Sequence, residues 1–74
     1  MREWLRKLRT ERRLTQKEVG EKLGISESYY SSIENGIRQK RMDMVIVTGL
    51  AAALNIPVIE IIKEEDKLRE KSDA

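Results

Sequence analysis

Residue type alone removes several chemistries from this chain. It has no histidine and no cysteine, so thiol nucleophiles, imidazole general bases and the usual zinc ligand sets are absent. No glycine loop has phosphate-cradling spacing, and no catalytic residue, cofactor or metal ion is expected. What remains is hydrogen bonding and charge, concentrated in "GISESYYSSIENG", residues 24–36. Set on a helix at about 100° per residue, Glu27, Ser28, Ser31, Ser32 and Asn35 share one small polar face. Tyr30 and Ile33 lie opposite, and Tyr29 lies on the flank. Tyr30 is therefore the tyrosine expected in the core. At this point Ser28, Ser31 and Ser32 have two readings, as ordinary solvated positions or as a surface for a partner's hydrogen-bonding edge.

Helices must position that face. Trp4, Leu5 and Leu8 recur at helical spacing and predict a first helix over 2–12. Thr15 followed by Glu18 is a capping box, which opens a second helix over 16–23 with Val19 and Leu23 inward. Gly24 suits the left-handed residue that ends it. Ser26 caps a third helix over 27–35, which Gly36 stops, and "IRQKR" is a basic loop. Asp43 caps a fourth helix over 44–54, rich in Val, Ile, Leu and Ala and so expected to be buried. Pro57 suits the first turn of a fifth helix, which carries Val58, Ile59, Ile61 and Ile62. Residues 64–74 continue it as a polar helix or fray. The expected fold is all-α, a compact five-helix bundle, with one domain over 1–63 and a polar extension over 64–74. The second and third helices are joined by "GIS" alone, a helix-turn-helix unit, with small Gly20 where the two must approach closely.

The series "LRKLR" (5–9), "LTQKEVGEKLGIS" (14–26), "SIENG" (32–36) and "LAAALNIP" (50–57) resembles the Cro/lambda-repressor-like, Xre-type helix-turn-helix regulators. The likeness runs to about Ile62. It implies a lambda-repressor-like DNA-binding domain, a sequence-specific transcriptional regulator of repressor type, with helix 27–35 in the major groove of double-stranded DNA. In the resemblance, the positions of Glu27, Ser28 and Ser32 read bases, with Tyr29 adjacent to them. Gln16 and Asn35 hold phosphates, and Arg38 and Lys40 in the following loop add charge contacts. Arg9 and Glu34 match positions that pair across the first and third helices. Small serines then make sense, because side chains entering the groove must fit between base edges and hydrogen-bond to them. Glu27 keeps two readings, an acceptor for cytosine N4 or a carboxylate favoured by the positive helix N-terminus.

The chain departs from the family's pattern in three places. Arg13 stands where glycine is frequent, which predicts a left-handed residue at a cost of about 1–2 kcal/mol. Gly20 stands where alanine is usual. The loop after Gly36 lacks the usual proline and is about two residues longer, so its path is the part least transferable from the resemblance.

Charge and size bear on partners. Over residues 1–41 there are 11 Lys/Arg against six Asp/Glu, and over 42–74 four against seven. A basic half suits a polyanion and an acidic half turns elsewhere. No apolar run is of membrane-spanning or signal-peptide type, so a cytoplasmic protein without a membrane partner is expected. One small domain reads only a few base pairs, so a homodimer on an inverted repeat is expected, weak in free solution. Val58 with Ile61, or Ile59 with Ile62, would face the core, and the other pair would face the second copy. Trp4 is a core or interface anchor. The competing function is an antitoxin or protein-interaction module acting through "VIEII" and the acidic tail.

Overall fold

The computed structural model describes residues 1–73, and among them five helices follow one another with no strand. They are α1 (Glu3–Glu11), α2 (Gln16–Leu23), α3 (Glu27–Glu34), α4 (Met44–Leu54) and α5 (Val58–Asp73). Ala74, the last residue of the expected tail, lies outside the described residues. The all-α, five-helix architecture is the one the periodicity predicts. Three ends differ by a residue: Arg2, Arg12 and Asn35 are caps, not members, of α1 and α3. Pro57 stands just before α5 instead of inside its first turn, and its carbonyl accepts from the Glu60 N–H at 3.1 Å. Beyond Lys63 the polar segment continues as helix.

The caps explain why the boundaries fall where they do. Thr15 Oγ1 accepts from the Glu18 N–H at 3.0 Å, and Glu18 Oε1 accepts from the Thr15 N–H at 2.9 Å. Those bonds hold the Glu18 carboxyl below its ordinary pKa, the bond from the Thr15 backbone most of all. Ser26 Oγ accepts from Tyr29 N–H at 3.1 Å, and Asp43 Oδ1 from Ile46 N–H at 2.9 Å. Each such cap stabilises its helix by about 1 kcal/mol. Gly24 ends α2 in the left-handed region, at φ 73°. Arg13 is left-handed as its position predicts, at φ 56°, and Gln39 and Asn55 join it at 54° and 57°. Asn55 tolerates this geometry, whereas Arg13 and Gln39 need neighbours that hold them there.

All five helices supply the core. Leu5, Val19, Tyr30, Ile33, Leu50, Leu54 and Ile61 are fully enclosed, with Ile46, Val47 and Ala51 beside them. Each large side chain so placed contributes about 1.5–3 kcal/mol. Arg12 donates from Nε to the Leu54 carbonyl and from Nη1 to that of Leu8, so a cation closes the C-terminal end of α4 onto α1. Gly20 marks the closest approach within the helix-turn-helix: a Cβ there would stand 3.1 Å from the Ile25 carbonyl oxygen and 3.3 Å from that of Ser26. On α5 the two candidate pairs separate. Ile61 is buried and Val58 half-buried, whereas Ile59 is 51% and Ile62 36% exposed. Among the described residues no single helix is long and apolar enough to cross a membrane.

Candidate nucleic-acid interface

The polar face of α3 is fixed by its opposite side. With Tyr30 and Ile33 in the core, Glu27, Ser28 and Asn35 are exposed and Ser31 and Ser32 partly so. Ser32 Oγ donates to the Ser28 carbonyl at 3.0 Å, which leaves the hydroxyl oxygen as an acceptor toward a partner. Asn35 Nδ2 donates to Ser31 Oγ at 3.4 Å.

Behind this face Arg9 grips Glu34 with a fork. Nε donates to Oε2 at 2.9 Å and Nη2 to Oε1 at 3.0 Å, while Nη1 donates to the Leu14 carbonyl at 2.8 Å. The side chain of Glu34 is 1% exposed and that of Arg9 12%. Gln16 joins the group, its Nε2 lying 3.4 Å from Glu34 Oε1. Burial alone pushes the Glu34 carboxyl upward, but Arg9 first, then the neighbouring Tyr30 hydroxyl and Gln16, outweigh it, and the net direction is below the ordinary value. Hydrogen bonding to Glu34 raises Arg9 in turn, against the effect of burial. The buried Tyr30 hydroxyl lies against the pair without a well-formed hydrogen bond. Burial first, and the Glu34 carboxylate second, raise its pKa.

The loop of residues 35–43 folds over the end of α3. The N–H groups of Ile37 and Arg38 both donate to the Ser32 carbonyl, at 2.9 and 3.1 Å. The Arg38 guanidinium sits 5.9 Å from the centroid of the Tyr29 ring. Gln39 Nε2 donates to the Tyr29 hydroxyl at 2.9 Å, and Gln39 Oε1 accepts from the Asp43 N–H at 3.0 Å. Arg38, Lys40 and Arg41 are exposed. The structure thus joins Gln16 to Glu34 and Arg38 to Tyr29, while Glu27 and Lys40 stand in the open.

Sequence reasoning missed Arg2 and Glu65. Arg2 is buried, at 3% exposure. Its Nε and Nη2 donate to Glu65 Oε2 and Oε1, both at 3.0 Å. Nη1 also donates to the Ile33 carbonyl and, at 3.3 Å, to that of Arg38, and Nη2 to that of Gln39. The Arg2 backbone N–H donates to the Glu34 carbonyl at 2.7 Å. Trp4, half-buried against the core, adds an Nε1 bond to Glu65 Oε2 at 3.2 Å. One guanidinium therefore closes the C-terminal end of α3 and its loop onto α5. The only signal in the sequence was Trp4, whose ring required a packed α1 N-terminus.

A tight turn between α2 and α3, a polar face on α3 and a basic loop after it define a helix-turn-helix protein. The model of the Helix-turn-helix family matches residues 5–61, and the chain belongs to that family. It is 49% identical over 39 residues to the "Uncharacterized HTH-type transcriptional regulator YqaF" of Bacillus subtilis (strain 168), a match covering 53% of this chain and 51% of that protein. The chain thus spans about half the length of this curated relative. No group of three or more metal-ligating side chains occurs among the described residues.

Proposed function

We propose that this protein binds double-stranded DNA in the cytoplasm and regulates transcription as a repressor, by binding alone and without catalysis. The observation that carries the reading is the exposed polar face of α3, anchored from behind by Tyr30 and Ile33 and adjoined by Gln16 and the basic loop. In this reading α3 enters the major groove. Ser28, Ser32 and Glu27 meet base edges, with Tyr29 beside them, and Gln16, Asn35, Arg38 and Lys40 meet phosphates. Ser32, with its hydrogen engaged by the Ser28 carbonyl, accepts from cytosine N4 or adenine N6. The experiment is selection of bound sites from a random duplex pool, followed by titration across salt. Log K should fall by about 0.9 per phosphate contact for each decade of salt. Ser28→Ala and Ser32→Ala should alter base preference, and Gln16→Ala and Asn35→Ala should weaken all sites alike. A change of base preference in Gln16→Ala as large as in Ser32→Ala would refute the assignment.

The protein acts as two copies on an inverted repeat, with reading helices about 34 Å apart. Exposed Ile59 and Ile62 supply the contact between copies, weak in free solution and reinforced on DNA. Ile59→Glu and Ile62→Glu should keep the monomer folded and abolish cooperative binding. The groove of about 580 Å³ beside Met42, Met44, Val47 and Ile62 supports the second reading, a module whose main partner is a protein. That reading predicts an association that is nearly insensitive to salt.

A further inference from the structure

We propose that Gln39 is a positioning residue: with Tyr29 it forms a latch that sets the loop between α3 and α4 so that Arg38 is presented to the DNA backbone. The proposal rests on the DNA-binding reading above and deepens it where the chain departs most from its family's pattern. Gln39 is left-handed, at φ 54°, a conformation that a glutamine keeps only where its surroundings over-determine it. Here three partners do so. Its Nε2 donates to the Tyr29 hydroxyl on α3 at 2.9 Å, and its Oε1 accepts at 3.0 Å from the backbone N–H of Asp43, the cap of α4. Its carbonyl accepts from the guanidinium of buried Arg2.

Tyr29 carries the other half of the device. Its hydroxyl receives Gln39, and its ring holds the Arg38 guanidinium at 5.9 Å from the centroid. The Arg38 N–H is bound to the Ser32 carbonyl at 3.1 Å, so both the backbone and the charged group of this exposed residue are placed from α3. An arginine already resting on a ring gives up less rotamer freedom when it meets a phosphate than one that swings freely. If Gln39 only braced the fold, its loss would lower stability and leave the number of ionic contacts unchanged.

The test uses the full chain and the duplex it selects. Tyr29→Phe keeps the ring and removes the hydroxyl. Gln39→Gly keeps the left-handed backbone accessible and removes both side-chain bonds. Each should reduce the magnitude of the salt slope by about 0.9, the value of one phosphate contact. Arg38→Gln alone should do the same, and adding it to either variant should remove nothing more. In the free protein, amide exchange at Asp43 should quicken in Gln39→Gly, while that of Ile46, bonded to the Asp43 carboxylate, should hold. An unchanged slope in Gln39→Gly, or a further full loss on adding Arg38→Gln, overturns the latch and leaves DNA binding standing. Should Gln39→Gly fail to fold, Tyr29→Phe carries the same comparison. Absence of salt-dependent duplex binding by the unaltered chain overturns the DNA reading and the latch with it.

Discussion

Two arginine–glutamate forks hold α3, and they enclose opposite partners. In the Arg9–Glu34 fork the Glu34 side chain is sealed, at 1% exposure, and the Arg9 side chain is at 12%. In the Arg2–Glu65 fork the Arg2 side chain is sealed, at 4%, and the Glu65 side chain is at 14%. A stranded carboxylate can take a proton and lose its charge, whereas a stranded guanidinium cannot. The second fork compensates with backbone carbonyls. Arg2 reaches those of Ile33, Arg38 and Gln39, so it stays satisfied in part when Glu65 is lost. Glu34 has the weaker Gln16 bond and the nearby Tyr30 hydroxyl to fall back on, and no backbone partner of that kind. The same two residue types therefore do different work, one fixing α3 against α1 through side chains, the other closing the end of α3 and its loop onto α5.

The largest expected effect comes from breaking the first fork. Arg9→Met leaves the Glu34 carboxylate enclosed and should destabilise the protein by about 3–5 kcal/mol in denaturant unfolding at neutral pH. Adding Glu34→Gln should restore part of that loss, so that the double variant is more stable than the two single losses predict. Strict additivity would mean that the two charges do not depend on one another. In the second fork the order of single losses should reveal where the energy lies. Arg2→Met frees the carbonyls and Glu65 together and should cost about 1–3 kcal/mol. Glu65→Gln keeps an acceptor for Arg2 and should cost less than about 1.5 kcal/mol. The reverse order would assign the fork's work to the carboxylate instead of the capped carbonyls.

Acid should single out the first fork. The folded protein holds the Glu34 carboxyl below its ordinary value of 4.5, so the unfolded chain takes up this proton first. Stability from Glu34 is present above that value and is lost as pH falls through the lowered folded value. Urea unfolding between about pH 6 and pH 3 should therefore show a shallower fall for Glu34→Gln than for the unaltered chain. Some slope should survive in the variant, because Glu18 is lowered in the same sense. Parallel slopes in the two proteins would place the acid sensitivity elsewhere.

The two forks also mark how far the sequence could be read. Arg9 and Glu34 were nameable because both lie inside a motif of fixed spacing, where the resemblance supplies a partner. The Thr15, Ser26 and Asp43 caps were legible for a local reason: a cap and the N–H it accepts from lie within three residues of each other. Tyr30 and Tyr29 could be told apart because helical phase fixes direction once the helix is known. Arg2 and Glu65 are 63 residues apart, and neither stands in a pattern. Terminal residues ordinarily fray, so nothing local announces that this one is buried. The loop was opaque for a related reason, since the path of Gln39 depends on three partners drawn from the N-terminus, α3 and α4. The inward pair on α5 was an open choice because Val58, Ile59, Ile61 and Ile62 give a helix two apolar stripes, and only packing selects one.

The smallest expected effect, and the one of opposite sign, lies beside the first fork. The Tyr30 hydroxyl is buried without a hydrogen-bond partner, so folding takes it from water with little return. Tyr30→Phe keeps the ring that fills the core and removes only that oxygen, and it should raise stability by up to about 1 kcal/mol. Alkali sharpens the point. Burial and the Glu34 carboxylate hold the hydroxyl above its ordinary value of 10.0, so the unfolded chain releases this proton first as pH rises. Stability from Tyr30 is complete below that value and is lost above it. Tyr30→Phe should remove this part of the alkaline loss. A Phe variant less stable than the unaltered chain at neutral pH would show that the hydroxyl completes the Arg9–Glu34 fork and belongs to it as a third member.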